Sequence, residues 1–135
     1  MSQENVEVVR AVFDAWNRGG LADMAPLLAE DVEWLEVMGR PEAPGVAQRG
    51  RSRLESSLES LFDAWEQYRL EPQEVRECGD DRVVAVVREV ARGRESKLEV
   101  ASDWGYLVTV RGRKVTRVEA YRDPAQALEA AERGG

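Results

Sequence analysis

The stretch "EDVEWLEV", residues 30–37, has the alternation of a strand and puts Val32, Trp34 and Glu36 on one face. An apolar face therefore ends in a carboxylate. In "ASDWGYLVTV" the residues Trp104, Tyr106, Val108 and Val110 share a face, so a phenol stands in line with core positions. In "KVTRVEAY" the same alternation groups Val115, Arg117, Glu119 and Tyr121. Taken together, these phases place Glu36, Tyr106, Glu119 and Tyr121 at one end of a core. Burying such groups unpaired would cost about 1 to 3 kcal/mol each, so they either pair with one another or face a water-filled cavity. A carboxylate and a phenol sharing an apolar cavity can move a proton and hold a developing oxyanion. The same residues could equally form a structural bridge, Glu119 against Arg117 or Arg88.

Composition narrows the chemistry further. The 135 residues include no histidine and a single cysteine, Cys78, which excludes Ser-His-Asp and Cys-His catalysis and any intrachain disulfide. A metal would have to rest on carboxylates alone, and neither a metal nor another cofactor is expected. The net charge of −7 disfavours nucleic acid as a partner despite the local Arg49, Arg51 and Arg53. "MSQENVEVVR" lacks the apolar centre of a signal peptide, and no run approaches the roughly 18 apolar residues of a membrane span. The expectation is a soluble cytoplasmic protein with no membrane contact.

Positioning these groups requires a sheet and helices. Val6, Val9, Phe13 and Trp16 recur at helical spacing within 3–18, closed by Gly19-Gly20. "LADMAPLLAE" reads as a shorter helical piece and 31–37 as the first strand. The prolines and glycines of 38–50 read as a loop. Leu54, Leu58, Leu61, Phe62 and Trp65 mark another helix. The period then changes to that of four strands, "YRLEPQEVREC", "DRVVAVVREVARG", "KLEVASDWGYLVTVRG" and "KVTRVEAYRD", and Pro124 opens a last, alanine-rich helix. The order predicts one α+β domain over 1–135, with helices packed on a largely antiparallel sheet. Trp16, Trp34, Trp65 and Trp104 come from four different elements; singly each is core filler, together they could grip an apolar ligand.

"VFDAWNRGGLADMAPLLAEDVEW" near the start and "VTVRGRKVTRVEAYRDPAQALEA" near the end resemble the SnoaL-like branch of the nuclear transport factor 2-like superfamily, over nearly the whole chain. That resemblance implies a strongly curved, largely antiparallel sheet forming a cone, three helices over a central pocket, and a homodimer through the outer face of the sheet. Leu107 and Thr109 would be covered in that homodimer. The superfamily includes ketosteroid isomerases, epoxide hydrolases and polyketide cyclases as well as non-catalytic binders. By resemblance to the isomerases, Glu36 takes the place of the general base, Tyr106 falls near the second oxyanion donor, and Tyr121 lies at a pocket-wall aromatic. The first-helix oxyanion tyrosine is replaced by Val12. The hydrolase pattern is matched loosely by Arg88 and Glu119.

Three functions stay open. One is an enzyme acting on a small apolar carbonyl or polyketide-like compound, with Glu36, Tyr106 and Glu119 as catalytic candidates. Trp16, Trp34, Trp65, Arg88, Trp104 and Tyr121 would be its substrate-binding residues. The second is a binding module whose aromatic residues hold a small apolar ligand. The third is an interaction protein that works through its sheet face.

Overall fold

A computed structural model of the chain describes residues 2–18, 21–37 and 44–134. Its order is α1 (Ser2–Asn17), α2 (Leu21–Met24), a 3-10 turn (Ala25–Leu27), β1 (Leu28–Val37), β2 (Pro44–Arg49), α3 (Arg51–Ala64), β3 (Trp65–Glu77), β4 (Arg82–Gly93), β5 (Glu99–Arg111), β6 (Lys114–Tyr121) and α4 (Pro124–Gly134). The six strands form one sheet in the order β2-β1-β6-β5-β4-β3. Only β1 and β6 run parallel; every other pairing is antiparallel.

The sheet has two differently covered faces. On the inner one, Val32, Leu70, Val83, Ala85, Val87, Tyr106, Val108 and Val118 pack against Val9, Phe13 and Trp16 of α1 and Leu54 and Leu58 of α3. Helix α1 is pinned by more than packing. Asn17 donates to the carbonyl of Leu70 (2.7 Å) and accepts from its N–H (2.8 Å), while Trp16 Nε1 donates to the carbonyl of Tyr68 (3.1 Å). These bonds satisfy backbone groups of β3 that would otherwise lie half-buried and unpaired.

On the outer face α4 covers Val84, Leu107 and Tyr121 with Ala127 and Ala131. Its start follows from local chemistry: Asp123 accepts from the N–H of Ala125 (3.0 Å), and Pro124 occupies the first turn, where no N–H is needed. Leu107 is thus covered by a helix of its own chain, not by a second copy, and the fourth helix lies on the side opposite the other three.

Three element assignments differ from the sequence expectation. Trp65, read as the end of a helix, opens β3. Of the stretch read as a loop, 44–49 pairs with β1 as β2, and 38–43 lies outside the described residues. Most consequential is a bulge in β6. Val110 pairs with Val115 but Thr109 pairs with Arg117, so Thr116 is an extra residue and the alternation of β6 reverses there. Val115 faces inward, and beyond the bulge Val118 and Ala120 do so while Arg117, Glu119 and Tyr121 turn outward. The neighbouring hairpin turn is formed by Gly112 (φ 58°) and Arg113 (φ 66°), both left-handed as a two-residue turn requires.

The close seating of α4 depends on a missing side chain. A Cβ added to Gly105 would lie 2.5 Å from Ala127 Cβ and 2.9 Å from Pro124 Cα. Gly105→Ala should therefore shift α4 and cost about 1 to 3 kcal/mol by overpacking. Urea unfolding of the variant checks this, and an unchanged midpoint would show that α4 is not seated on the strand.

Candidate functional site

The inner face opens at one end into a cavity of about 480 Å³, within the usual range for small-molecule sites. All four tryptophans line it, and so do Glu36 and Tyr106. Strand β1 carries Val32, Trp34 and Glu36 inward in turn, which answers why its apolar face ends in a carboxylate: Glu36 lies at the mouth. It is exposed there, as a group facing a water-filled cavity would be. It has no hydrogen-bond or ion-pair partner among the described residues.

The aromatic wall is continuous. Trp65 meets Tyr68 (6.0 Å between ring centroids), Tyr68 meets Trp16 (5.6 Å), Trp16 stacks near Trp34 (6.4 Å), and Trp34 meets Tyr106 edge-on (6.1 Å). Tyr106 is 5% exposed, and its hydroxyl has no hydrogen-bond partner among the described residues. Burial holds this phenol well above the usual tyrosine range, with the charges of Glu89 and Glu36 acting in the same direction. It is a neutral phenol.

Two groups in the cavity escaped the sequence reading. Glu89 accepts from the Tyr68 hydroxyl and from Ser102 Oγ (3.3 Å), and Ser102 in turn accepts from Trp104 Nε1 (3.1 Å). Burial raises the Tyr68 phenol strongly, reinforced by its bond to Glu89 and by that carboxylate's charge. The signal was present in Val83, Ala85, Val87, Glu89 and Ala91, another apolar face interrupted by a carboxylate. It was obscured because β4 is apolar on both phases. Arg122 also lines the rim, its guanidinium 5.5 Å from the Trp104 ring centroid.

Arg88, Glu119 and Tyr121 are not in the cavity. Arg88 lies on the outer face and pairs with Asp103 (3.4 Å), because Val87 and Glu89 take the inward phase of β4. The bulge at Thr116 turns Glu119 and Tyr121 outward. There the Tyr121 hydroxyl donates to Glu119 (3.0 Å), Arg117 pairs with Glu119 (3.5 Å), and burial followed by the Glu119 charge pushes the Tyr121 phenol up to about 12. Glu119 is thus the structural bridge that the sequence allowed as an alternative.

A second cleft, of about 430 Å³, lies on the outer face between β1, β5 and β6. Its arginines are already engaged: Arg49 and Arg117 with Glu33, and Arg111 with Asp81 (3.0 Å). The two guanidinium groups hold the Glu33 carboxyl below its ordinary range, Arg49 most strongly. This is a clamp across three strands. Among the described residues no group of three or more carboxylate or thiol side chains is placed to hold a metal ion.

Residues 9–118 match the SnoaL-like domain, and the chain belongs to that family. Among solved structures it resembles a nuclear transport factor 2-like protein from Burkholderia xenovorans LB400, with 29% identity over 97% of this chain and 98% of that one, TM-score 0.71. A putative polyketide cyclase from Xanthomonas campestris pv. campestris is 25% identical over 96% and 98%, TM-score 0.67. TerC, co-crystallised with polyporic acid, is 23% identical over 96% and 98%, TM-score 0.75. No curated protein matches the sequence. The fold is accordingly the curved-sheet cone of the nuclear transport factor 2-like proteins, with a small-molecule type of cavity inside it. Among the described residues no helix is long and apolar enough to cross a membrane.

The raised phenols have a consequence at alkaline pH. The folded protein holds the Tyr106 proton more tightly than the unfolded chain, whose tyrosines titrate near 10. Stability from this source is complete below about pH 10 and is lost as pH rises toward the folded-state value. Urea unfolding of Tyr106→Phe at about pH 8 and about pH 11 should show a shallower decline than the unchanged protein. An identical decline would mean that Tyr106 is not held as a neutral phenol.

Proposed function

We propose that the chain is an enzyme of proton-transfer type acting on a small, largely apolar carbonyl compound of polyketide-like character. Glu36 removes a proton from the carbon next to the carbonyl. The electron pair of that C–H bond becomes a carbon–carbon double bond, and the carbonyl oxygen, now an enolate, accepts a hydrogen bond from Tyr106. In an unsaturated ketone, return of the proton to a different carbon completes an isomerisation; in a compound with a second carbonyl, attack of the enolate carbon on that carbonyl carbon closes a ring, and the proton goes to the oxygen whose C=O π bond breaks. The reading rests on one observation: a carboxylate and a neutral phenol, neither with a hydrogen-bond or ion-pair partner among the described residues, line the same aromatic cavity. A preorganised donor to a developing oxyanion is commonly worth about 3 kcal/mol of barrier. Trp16, Trp34, Trp65 and Trp104 supply the apolar walls.

The second reading is a binding module of the same fold, favoured by the exposure of Glu36, which leaves that carboxylate in contact with water. In either case we take the 135 residues as one cytoplasmic domain that pairs with a second copy. With Leu107 already covered by α4, the pairing surface is the remaining outer face of β4, where Val86 and Val90 are half-buried. A strict monomer in sedimentation at micromolar concentration would rule this pairing out.

The enzyme reading is tested by exchange. Incubated in heavy water with a panel of unsaturated ketones, the protein should catalyse deuterium uptake next to the carbonyl of at least one of them, read by mass spectrometry. Glu36→Gln should slow that uptake by about 100-fold. Its unfolding free energy should change by less than about 0.5 kcal/mol, because Glu36 is exposed and has no partner among the described residues. Ligand binding without exchange would establish the binding module instead.

A further inference from the structure

The cavity's charge and its walls do not fit a purely apolar ligand. Two carboxylates, Glu36 and Glu89, line one space, and both lie close enough to Tyr68 and Tyr106 for their charges to act on each phenol. Arg122 is the one cationic side chain among the described lining residues, and it sits at the exposed rim against Trp104. A neutral apolar occupant would displace water beside Glu36 and Glu89 and supply no compensating charge, which is unfavourable even though Glu89 keeps its bonds from Tyr68 and Ser102. A carboxylate-bearing occupant would meet two like charges. A cation would compensate both carboxylates, and the faces of tryptophan and tyrosine attract positive charge in their own right. Arg122 over Trp104 shows this wall already receiving a cation from within the chain.

An independent feature indicates where the rest of the ligand lies. Tyr106, 5% exposed, lines the same cavity, and its hydroxyl has no hydrogen-bond partner among the described residues. A donor with no protein partner on a buried side chain that lines the cavity suits an acceptor oxygen on the occupant. We infer that the ligand carries a positively charged nitrogen, a protonated amine or a quaternary ammonium, as well as an oxygen acceptor. The nitrogen lies between Glu36, Glu89 and the tryptophan faces, and the oxygen meets Tyr106. This inference rests on the cavity being the ligand site but not on any catalysis there. In an enzyme it would make the substrate an amino-carbonyl compound, with the ammonium held chiefly at Glu89 so that Glu36 stays available for the proton.

The test compares two molecules of nearly equal shape, 4-hydroxyphenyltrimethylammonium and 4-tert-butylphenol, which differ by a positively charged nitrogen in place of a carbon. Binding to the full chain is followed by calorimetry at low salt. The ammonium compound should bind at least about 10-fold more tightly. Glu36→Gln, a change at an exposed position, should weaken the ammonium compound several-fold and leave the neutral one unchanged, and the Glu36→Gln, Glu89→Gln double variant should erase the preference. Glu119→Gln, on the outer face, should alter neither affinity. Equal or tighter binding of the neutral compound overturns the inference while leaving the cavity as a ligand site. So does an ammonium affinity that survives in the double variant. Absence of binding by either compound at about 10 mM overturns both the inference and the reading of the cavity as a site of this kind.

Discussion

A strand offers its side chains to alternate faces, so one extra residue reverses every position beyond it. That constraint acts at Thr116. Before the bulge β6 contributes Val115 to the core; after it, Val118 and Ala120 take the inward positions and Arg117, Glu119 and Tyr121 are carried to the other side. Ala120, not Tyr121, then stands beside Tyr106 and Glu36 in the sheet, and its small side chain leaves space where a tyrosine would fill it. The bulge thus leaves room in the cavity and at the same time builds the outer face. Tyr121 closes the seat for α4, and Arg117 becomes free to join Glu33 and Glu119.

The cavity survives because its walls are anchored to backbone. Asn17 and Trp16 tie the last turn of α1 to β3, which keeps the Trp16 ring against Tyr68 while the space beyond stays open. Within it the polar groups divide into two kinds. Glu89 is enclosed by donors from Tyr68 and Ser102 and belongs to the wall. Glu36 and the hydroxyl of Tyr106 have no such partners among the described residues. The two carboxylates therefore differ in setting: Glu89 is held by hydrogen bonds within the wall, and Glu36 stands exposed at the mouth.

Much of this was legible in the residues. The switch from helical spacing to alternation after α3 gives the run of antiparallel strands, and Val32, Trp34, Glu36 and Trp104, Tyr106, Val108 carry their facing in their phase. The failures have physical causes. Trp65 continues the spacing of Leu54, Leu58 and Phe62, so nothing local marks the change of backbone at that residue. Strand β2 is hidden among prolines and glycines because its pairing with β1 is a tertiary event. The bulge has no compositional mark, since Thr116 is as ordinary in a regular strand as in an irregular one, yet it displaces Glu119 and Tyr121 from the site. Glu89 and Arg88 are adjacent in a strand whose two faces are both apolar, and alternation alone cannot choose between them.

The face assignment that follows from the bulge is open to direct measurement by nuclear Overhauser spectroscopy on the unliganded protein. The Tyr106 ring, with centroids 6.1 Å from Trp34 and 5.7 Å from Phe13, should give cross-peaks to both. The Tyr121 ring should give cross-peaks to the methyl groups of Ala127 and Ala131 and none to any tryptophan. Cross-peaks from Tyr121 to Trp34 or Trp104, with none from Tyr106 to Trp34, would contradict the account: β6 would then be in the unbroken phase and the cavity would be lined by a different set of residues.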